Sequence, residues 1–368
     1  MPAPAIAFDV TPLQNAHRYR GIGTYVRGLA RRLAAQTDLP IDFWGWQGGL
    51  PFDTPPPHRM VGLRRFPMPR YRGAWVFAQL AMKWRARGSE AKIVHVTDPD
   101  ALTPLSGRTL MATVYDLIPL KQPASRQRLV ANAGYRSYLD ALRGVDTLFA
   151  ISQQTADDVV DLLHLRAGRI LVARPGVDLP RSIERSARRD RPYFLYVGGP
   201  NPNKNLAVIL EAIPMCRDLN EELLIAGHWL PKQVAALNAQ LAADGLASRA
   251  RHIGFVPDSE LVDLMRGATA LVIPSLHEGF GLPVAEGLAA GAVVVHSDLP
   301  VLRETSAGAA LVFAARSAAD LASCLEQAAS DSDLTDQLRR RGLERARELT
   351  WDAAVETTLA AYRAALSK

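Results

Sequence analysis

The chain has 368 residues, of which 48% are hydrophobic and 22% are charged, a balance typical of globular proteins. No apolar run approaches the roughly 18–20 residues that span a bilayer. Two distant cysteines, Cys216 and Cys324, exclude a disulfide framework and favour a reducing cytosol. The first residues, MPAPAIAFDV, lack a basic segment and reach Asp9 at once, so we expect a first strand there and not a signal peptide.

Charge is distributed unevenly along the chain. Residues 1–180 carry 23 Lys and Arg against 14 Asp and Glu, whereas residues 181–368 carry 20 against 23. A basic half favours an anionic partner, such as a nucleic acid, a membrane surface or a phosphorylated substrate. Arginines on ordinary solvated faces explain the same numbers equally well, so charge alone leaves the class of partner open.

In the first 180 residues, short apolar runs alternate with longer amphipathic runs. Parallel βαβ units produce this alternation, because parallel strands are joined by crossover helices. The predicted strands are Ala5–Val10, Lys92–Val96, Leu110–Val114, Thr147–Ile151 and Ile170–Ala173. The predicted helices are Thr24–Gln36, Trp75–Arg87, Arg126–Arg143 and Gln153–Leu163.

A linker is predicted at residues 181–192, RSIERSARRDRP, which contain five arginines and no apolar periodicity. The alternation then restarts, which predicts a second α/β domain and a cleft between the two where ligands bind at strand ends. The predicted strands are Tyr193–Val197, Leu223–Ala226, Ala250–Phe255, Thr269–Pro274, Ala292–His296 and Ala310–Phe313. The predicted helices are Leu206–Met215, Pro231–Asp244, Asp258–Arg266, Pro283–Ala290, Ala318–Ala329 and Leu334–Leu366, the last broken near Leu349–Trp351.

The stretch HEGFGLPVAE, residues 277–286, joins a predicted strand to a predicted helix and places Glu278 and Glu286 eight residues apart. Backbone amides of Gly281 and Leu282 open this helix toward an anionic or hydroxyl ligand. Two carboxylates beside phosphates would be electrostatically unfavourable, so we expect them to hold hydroxyls of a sugar and a ribose that flank a diphosphate. The alternative is a loop cap at Glu278 and an exposed acid, stabilised by the helix dipole, at Glu286.

This stretch, E-G-F-G-L-P-x-x-E, resembles the E-x7-E signature of the retaining GT-B glycosyltransferases of family 4. The resemblance extends over FVPDSELVDLMRGATALVIPSLHEGFGLPVAEGLAAGAVVVHSDLPVLRE and, in the first half, over FDVTPLQ, RGIGTYVRGLARRL, TVYDLIPL, ISQQT and RPGVD.

The resemblance implies an α/β protein of GT-B fold, with two Rossmann-like, doubly wound domains facing across a cleft. The acceptor-side domain would span residues 1–180 and the nucleotide-sugar domain residues 193–350, with a helix at 351–368 that crosses back to the first domain. It further implies that Glu278 lies by the transferred sugar and that Glu286 binds the ribose. Phe280, Gly281 and Leu282 would complete the donor loop.

A second donor element is predicted in YVGGPNPNKNL, residues 196–206, where Lys204 precedes a helix. A lysine beside free backbone amides can hold a phosphate, and the family places here a Lys that binds the donor diphosphate. The stretch is not a Walker A loop, since Asn203 and Asn205 replace its glycine and hydroxyl residues. Many relatives have Arg where this chain has Gly199, and a solvated surface lysine is the alternative interpretation.

The stretch RGIG, residues 20–23, lies between the first predicted strand and helix. It lacks the third glycine of a dinucleotide fingerprint, and the loop before it is too long for that turn. The resemblance implies that Gly21, Ile22 and Gly23 form a loop that closes over the diphosphate and acceptor. The alternative is a plain helix-entry turn.

The stretch TVYDLIPL ends a predicted strand in Tyr115 and Asp116, where many relatives have His-Asp with the His near the transferred sugar. A tyrosine can hydrogen-bond a sugar hydroxyl but is a poor base at neutral pH. We therefore assign Tyr115 to positioning, with Asp116 beside it as a catalytic candidate or as the cap of the following turn.

No metal is predicted, and the only small-molecule requirement is the nucleotide-diphosphate sugar as co-substrate. Asp98-Pro99-Asp100 forms a D-x-D motif, and two nearby carboxylates can hold a divalent cation on phosphates. A loop turn explains the motif better, because it precedes only a loop and has no role in an enzyme with two paired domains. A metal is not required, since Lys204 and helix N-termini can stabilise the leaving diphosphate. His164 and His252 show no ligand spacing.

The resemblance thus implies a retaining hexosyltransferase that moves a hexose to a glycan or lipid-linked glycan hydroxyl in bacterial cell-surface polysaccharide or lipopolysaccharide synthesis. GDP-mannose is the donor that the resemblance suggests, and nucleic acid is not an expected partner. Two alternatives stay open: a sugar phosphorylase or sugar-nucleotide epimerase, and a degenerate donor-binding subunit, suggested by Tyr115 and Gly199. We expect the protein in the cytoplasm or at the inner face of the plasma membrane.

The expected membrane contact is PRYRGAWVFAQLAMKWRARG, residues 69–88. A basic amphipathic helix with tryptophans can lie on an anionic lipid surface. The shared apolar face would hold Phe77, Leu80, Ala81 and Trp84, and the charge would come from Arg70, Arg72, Lys83, Arg85 and Arg87. The alternative is a helix packed on the first sheet, with Phe77 and Trp84 in the core.

Overall fold

A computed structural model describes residues 5–19, 21–36, 38–46, 58–62, 74–121, 132–179 and 191–367. The chain divides into two compact units. Unit 1 comprises Met1–Gly176 together with Trp351–Lys368, and unit 2 comprises Val177–Thr350. Most of the predicted linker, residues 181–190, lies outside the described residues, as does the first part of the predicted helix Arg126–Arg143.

Unit 1 is built on a parallel sheet of seven described strands in the order β3-β2-β1-β4-β5-β6-β7. These strands are β1 (Ile6–Asp9), β2 (Ile41–Gly45), β3 (Arg59–Gly62), β4 (Ile93–Val96), β5 (Thr109–Val114), β6 (Thr147–Ala150) and β7 (Ile170–Val172). The five strands predicted in this half are present, and the parallel α/β class is confirmed. β2 and β3 were not predicted. Asp42 interrupts the apolar run of β2, where the structure pairs its carboxylate with the Arg59 guanidinium of β3 at 2.8 Å.

The helices of unit 1 surround this sheet. They are α1 (Gly21–Leu33), α2 (Ala74–Arg87), α3 (Ile118–Lys121), α4 (Ala133–Arg143), α5 (Gln153–Leu163) and α13 (Trp351–Leu366). Trp351 of α13 packs so closely on α1 that a Cβ at Gly28 would lie 2.4 Å from the indole ring. The Tyr362 hydroxyl of α13 lies 2.7 Å from Nδ1 of His95 in β4, and burial lowers the pKa of His95 to about 3. A neutral, buried histidine therefore holds α13 on the sheet of unit 1.

Helix α2 buries three alanines and Met82 and exposes three larger apolar side chains. Ala78, Ala81, Met82 and Ala86 belong to the core, whereas Phe77, Leu80 and Trp84 are 55%, 52% and 53% exposed. The alternative with Phe77 and Trp84 in the core is therefore wrong, and so is the placement of Ala81 on the exposed face.

Arg85 is also buried, against expectation. Its guanidinium lies 5.6 Å from the centre of the Trp44 ring and donates to the carbonyl oxygen of Gly45. Lys83 and Arg87 are exposed, and the predicted Arg70 and Arg72 lie outside the described residues.

Unit 2 is built on a parallel sheet of six described strands in the order β10-β9-β8-β11-β12-β13. Its strands are β8 (Tyr193–Val197), β9 (Glu222–Ala226), β10 (Ala250–Gly254), β11 (Ala270–Ile273), β12 (Val294–Ser297) and β13 (Leu311–Phe313). Its helices are α6 (Leu206–Ala212), α7 (Pro231–Ala243), α8 (Asp258–Gly267), α9 (Leu282–Ala289), α10 (Pro300–Ser306), α11 (Ala318–Ser330) and α12 (Ser332–Glu348). All six predicted strands are present, and α10, too short for a clear periodicity, was not predicted.

Each sheet has one point at which the strand order reverses. In unit 1 it lies between β1 and β4, and in unit 2 between β8 and β11. Loops that follow these strands diverge to opposite sides of the sheet and leave a crevice at the carboxyl ends, the usual ligand position in doubly wound sheets. Among the helices of the described ranges, none combines the length and apolarity needed to cross a bilayer.

Candidate active site

The switch point of unit 2 brings Lys204 and Glu278 together. Lys204 lies in the loop after β8 and Glu278 in the loop after β11, and Nζ of the lysine is 2.6 Å from Oε1 of the glutamate. The Ser275 hydroxyl donates to the same carboxylate oxygen at 2.7 Å. The sequence analysis named Lys204 and Glu278 as candidate site residues. It did not predict their ion pair or the hydrogen bond from Ser275.

Asn205 holds the lysine loop in place. Its backbone is left-handed (φ 52°), a conformation that Asn tolerates better than most residues. Its side-chain amide donates to the carbonyl oxygens of Pro274 at 3.0 Å and Ala315 at 2.8 Å. The Leu276 amide donates to the Asn203 carbonyl oxygen at 2.8 Å. Sequence reasoning noted Asn205 only as a departure from a phosphate-binding motif and missed this role.

The turn before α9 depends on a glycine. Gly281 is left-handed (φ 87°), and a Cβ there would lie 2.3 Å from Cδ2 of Leu302. The first amides of a helix have no acceptor within the helix, so Gly281 and Leu282 present N–H groups at its start. Phe280, predicted in the donor site, is only 2% exposed, and its carbonyl oxygen accepts from the Thr305 hydroxyl at 2.5 Å. Its side chain therefore belongs to the core, and only its backbone is left for a ligand.

Glu286 lies in the second turn of α9 and is partly exposed. Burial of its carboxyl, with a smaller contribution from the Asp258 carboxylate, raises the pKa of Glu286 to about 7. Within the described ranges, no residue forms a hydrogen bond or ion pair with this carboxyl. A desolvated carboxylate without protein donors is well suited to accept hydrogen bonds from the hydroxyls of a ligand.

The predicted glycine loop of unit 1 is the start of a helix. α1 begins at Gly21, so Gly21, Ile22 and Gly23 form its first turn and are not a loop before it. This agrees with the helix-entry alternative. Gly23 is required by packing, since a Cβ there would lie 2.5 Å from the carbonyl oxygen of His17. Arg20 lies outside the described residues.

The Tyr115 hydroxyl is already engaged. It donates to the carbonyl oxygen of Thr97 at 3.0 Å, and its ring contacts Tyr25 edge-on at 5.8 Å between centroids. Burial raises the pKa of Tyr115 well above its usual value. The proton of this hydroxyl is therefore committed to the backbone, and the assignment of Tyr115 to positioning the sugar stays a prediction. Asp116 accepts from the amide of Ile118 at 3.1 Å, which makes it a cap of α3, as the alternative held.

Ile22, Tyr115 and Asp116 nevertheless line one pocket of unit 1, at the carboxyl ends of β4 and β5. The pocket has a volume of about 270 Å³. Its walls include Ile22, Asp100, Tyr115 and Asp116, together with Trp75 and Tyr135, which the sequence did not single out.

The D-x-D motif forms a turn beside this pocket. Asp98 is buried and accepts from the amide of Asp100 at 3.0 Å and from the Asn15 side chain at 2.8 Å. Burial, followed by the Asp9 and Asp100 carboxylates, raises the pKa of Asp98 to about 8. His17, Asp98 and Asp100 place ligand atoms within 4.8 Å of one another. The hydrogen bonds that Asp98 accepts from Asp100 and Asn15 are those expected of a residue that stabilises a turn.

Comparison with known proteins identifies the class of this fold. Sucrose-phosphate synthase from Thermosynechococcus elongatus superimposes with a TM-score of 0.81 over 99% of both chains, at 20% sequence identity. This likeness shows the fold, which is GT-B, with two Rossmann-like units.

Sequence comparison identifies the family. The model of Glycosyltransferase Family 4 matches residues 19–181, and that of Glycosyl transferases group 1 matches residues 181–345. The chain belongs to the GT-B glycosyltransferases of family 4.

Its relatives include three bacterial mannosyltransferases. O-antigen chain mannosyltransferase B of Escherichia coli is 25% identical over 299 residues, 76% of each chain. GDP-mannose:cellobiosyl-diphosphopolyprenol alpha-mannosyltransferase of Komagataeibacter xylinus is 26% identical over 279 residues, 69% of this chain and 70% of that protein. Serotype-specific mannosyltransferase WbdA of Escherichia coli is 25% identical over 256 residues, 64% of this chain but 31% of the relative.

Proposed function

We propose that this glycosyltransferase binds a nucleotide-diphosphate sugar in unit 2 and transfers the hexose with retention of its anomeric configuration. The observation that carries the proposal is the ion pair of Lys204 and Glu278, 2.6 Å apart at the switch point of unit 2. The pair stands in the loops that precede α6 and α9, so a cation, an anion and helix amides share one crevice.

Each of these groups has a distinct role in the proposal. Lys204 and the amides at the start of α9 stabilise the diphosphate as the bond between it and the sugar breaks. Glu278 accepts hydrogen bonds from the hexose hydroxyls, and Glu286 accepts them from the ribose. The acceptor oxygen bonds to the anomeric carbon on the face that the diphosphate leaves, and its proton passes to a diphosphate oxygen.

For the substrates, we propose GDP-mannose as donor and a glycan or lipid-linked glycan of a bacterial cell-surface polysaccharide as acceptor. The names of the three mannosyltransferase relatives support this choice. The reaction needs no metal in this proposal, because Lys204 and backbone amides meet the charge of the diphosphate.

The test is a turnover assay with the full chain and GDP-, UDP- and dTDP-sugars. We expect transfer from GDP-mannose to a mannose-terminated lipid-linked acceptor, and nuclear magnetic resonance of the product shows an α linkage if configuration is retained. An inverted product contradicts retention. Conversion of donor without acceptor indicates an epimerase, transfer to inorganic phosphate indicates a phosphorylase, and binding without turnover indicates a degenerate subunit.

We also propose that unit 1 docks on an anionic membrane through α2. The exposed side chains of Phe77, Leu80 and Trp84 lie on the helix that carries the exposed Lys83 and Arg87. Apolar groups that enter the headgroup region beside cations that attract anionic lipid favour an interfacial helix.

Vesicle co-sedimentation tests this docking. Binding is expected to rise with anionic lipid and to fall with salt. The double variant Lys83→Glu/Arg87→Glu should reduce it at least about 30-fold, since each of the two basic residues contributes about 1 kcal/mol. Arg217→Glu/Lys232→Glu makes the same charge change on exposed sites of unit 2 and is the control. Equal binding to neutral and anionic vesicles at low salt contradicts the proposal.

A further inference from the structure

We propose that Ser275 is a positioning residue for the glycosyl transfer, and that it acts by holding the carboxylate of Glu278 in place. This role deepens the proposed function, on which it rests, because Glu278 there accepts hydrogen bonds from the hexose hydroxyls. Ser275 lies in the loop after β11, and its side chain is buried. Its hydroxyl reaches forward along that loop to the carboxylate.

Two donors meet at one oxygen of the Glu278 carboxylate. Nζ of Lys204 lies 2.6 Å from Oε1, and the Ser275 hydroxyl donates to the same atom at 2.7 Å. An ionised carboxylate only accepts hydrogen bonds, so the serine is the donor of this bond. Among the described residues, none donates to Oε2, which makes Oε2 the oxygen available to a hydroxyl of the sugar.

These two donors differ in rigidity. The Lys204 side chain is 31% exposed and carries its ammonium group on a flexible stem. Ser275 is 1% exposed, and its hydroxyl is attached directly to Cβ. In the proposed function the lysine also binds the diphosphate, so its bond to Glu278 competes with the ligand. The serine is therefore the fixed reference for the carboxylate.

The backbone that carries the serine is itself held by side chains of neighbouring loops and strands. The Ser297 hydroxyl donates to the carbonyl oxygen of Ser275 at 2.5 Å, and the Asn205 amide donates to that of Pro274 at 3.0 Å. Ser297 is the last residue of β12 and is fully buried. Two hydroxyls in series thus connect the end of β12 to the carboxylate of Glu278.

A fixed carboxylate matters because catalysis depends on geometry. Misplacement of a group by about 1 Å can cost roughly 10²-fold in rate. A glutamate side chain has several rotatable bonds, and the serine bond selects its rotamer before the sugar binds. A nucleoside diphosphate has no hexose, so its binding does not depend on this rotamer. Loss of the Ser275 hydroxyl should therefore lower kcat and leave nucleoside diphosphate affinity unchanged.

The experiment compares Ser275→Ala with the unaltered full chain. Transfer to a mannose-terminated lipid-linked acceptor is measured with GDP-mannose, UDP-glucose and dTDP-glucose, and the donor that is used is kept. We expect kcat to fall about 10- to 100-fold, the effect of one hydrogen bond to a charged group. Calorimetric titration with the nucleoside diphosphate of that donor should show unchanged affinity. Collapse of the loop would instead weaken both, because Glu278 and Gly281 lie in the same connection between β11 and α9.

Thr269→Val is the matched control. The Thr269 hydroxyl donates to the Glu221 carboxylate at 3.3 Å, at the other end of β11. The variant removes the same kind of bond from the same strand without touching Glu278. Its kcat should equal that of the unaltered chain.

A double-mutant cycle with Glu278→Ala shows whether Ser275 acts through the carboxylate. We expect Glu278→Ala and Ser275→Ala/Glu278→Ala to have the same kcat, since residues of one hydrogen-bond network are not additive. Ser297→Ala keeps the serine hydroxyl and removes only the support of its carbonyl oxygen. It should lower kcat roughly three- to tenfold, the effect of one neutral hydrogen bond, and it replaces Ser275→Ala in the cycle if that variant does not fold.

The outcomes separate this inference from the proposed function. If the chain transfers sugar while Ser275→Ala and Ser297→Ala keep full kcat, the positioning role is wrong and the proposed function stands. A further loss from Ser275→Ala on the Glu278→Ala background, or an equal loss of kcat and nucleotide affinity, also overturns the role. A chain that transfers sugar from none of the donors overturns the proposed function, and the positioning role with it.

Discussion

The two units carry different side chains at the same position of similar sheets. At the switch point of unit 2, a lysine and a glutamate form an ion pair beside a helix start. At the corresponding edge of unit 1, aromatic rings and two aspartates surround a pocket whose described walls contain no cation. The sheet supplies the crevice in both units, and the side chains decide its chemistry. The charged pair of unit 2 is therefore the group on which the proposed binding of a diphosphate rests.

The largest effect is expected from Lys204→Ala. If Lys204 stabilises charge that develops on the leaving diphosphate, its loss should lower kcat about 10²- to 10³-fold, as removal of one preorganised donor does. Steady-state kinetics with a soluble acceptor measure this. Lys232→Ala, at an exposed site in the first turn of α7, is the matched control and should keep full activity. A loss below about threefold in Lys204→Ala would falsify the phosphate role of unit 2.

Glu286→Ala should act on nucleotide affinity. A hydrogen bond to a charged group contributes roughly 1.5–3 kcal/mol, so binding of the nucleoside diphosphate should weaken about 10- to 150-fold. Calorimetric titration measures this. Unchanged binding of the nucleoside diphosphate by a folded Glu286→Ala variant would contradict the ribose role of Glu286.

Gly281→Ala tests the turn that begins α9. The left-handed backbone costs a non-glycine residue about 1–2 kcal/mol, and the new methyl would press on Leu302. We expect a lower melting temperature for unit 2 and weaker nucleotide binding. Gly168→Ala has open space around its Cβ and serves as the control. An unchanged melting temperature in Gly281→Ala would show that the turn adapts.

Donor affinity should also depend on pH. The pKa of Glu286 is about 7, raised by burial, so the carboxyl is mostly protonated at pH 6 and mostly ionised at pH 8. Hydroxyls bond better to the ionised form, so binding of intact GDP-mannose should be up to roughly tenfold weaker at pH 6 than at pH 8. The intact donor is used because its diphosphate does not titrate in this range. Glu286→Gln should remove the dependence, and a slope that persists in this variant assigns it to another group.

The smallest effect is expected from chelation. With Lys204 and backbone amides meeting the diphosphate charge, EDTA should leave kcat unchanged within error. Loss of activity in EDTA that Mg²⁺ or Mn²⁺ restores would contradict a metal-independent reaction. It would direct attention to His17, Asp98 and Asp100, whose ligand atoms lie within 4.8 Å of one another.

Unit 2 was the more predictable unit because its signals are local. Most strands there are short apolar runs, and Glu278, Gly281 and Glu286 fall in a single stretch of ten residues. Contacts between residues distant in sequence could not be predicted. The Lys204–Glu278 contact joins residues 74 positions apart, and the carbonyl oxygen of Phe280 accepts from Thr305 in another helix.

The pocket of unit 1 had no local signal. Its walls come from α1, α2, α4 and the loops after β4 and β5, so no spacing in the sequence reports it. Tyr115 was assigned by its position after a strand, yet its hydroxyl finds a backbone acceptor at Thr97, which only the register of neighbouring strands determines. β2 was not predicted because Asp42 interrupts its apolar pattern. A buried carboxylate is acceptable there only because Arg59 of the neighbouring strand pairs with it.

The anchoring of α13 has a consequence for biosynthesis. Residues 351–366 complete unit 1 through Trp351 on Gly28 and Tyr362 on His95, but the ribosome makes them after the whole of unit 2. Domains generally fold as units as they emerge, N-terminal ones first. Here the order is reversed at the last step, because unit 2 can close its core while unit 1 still waits for its final helix. Until that helix arrives, the nascent sheet of unit 1 exposes the apolar surface that α13 later covers.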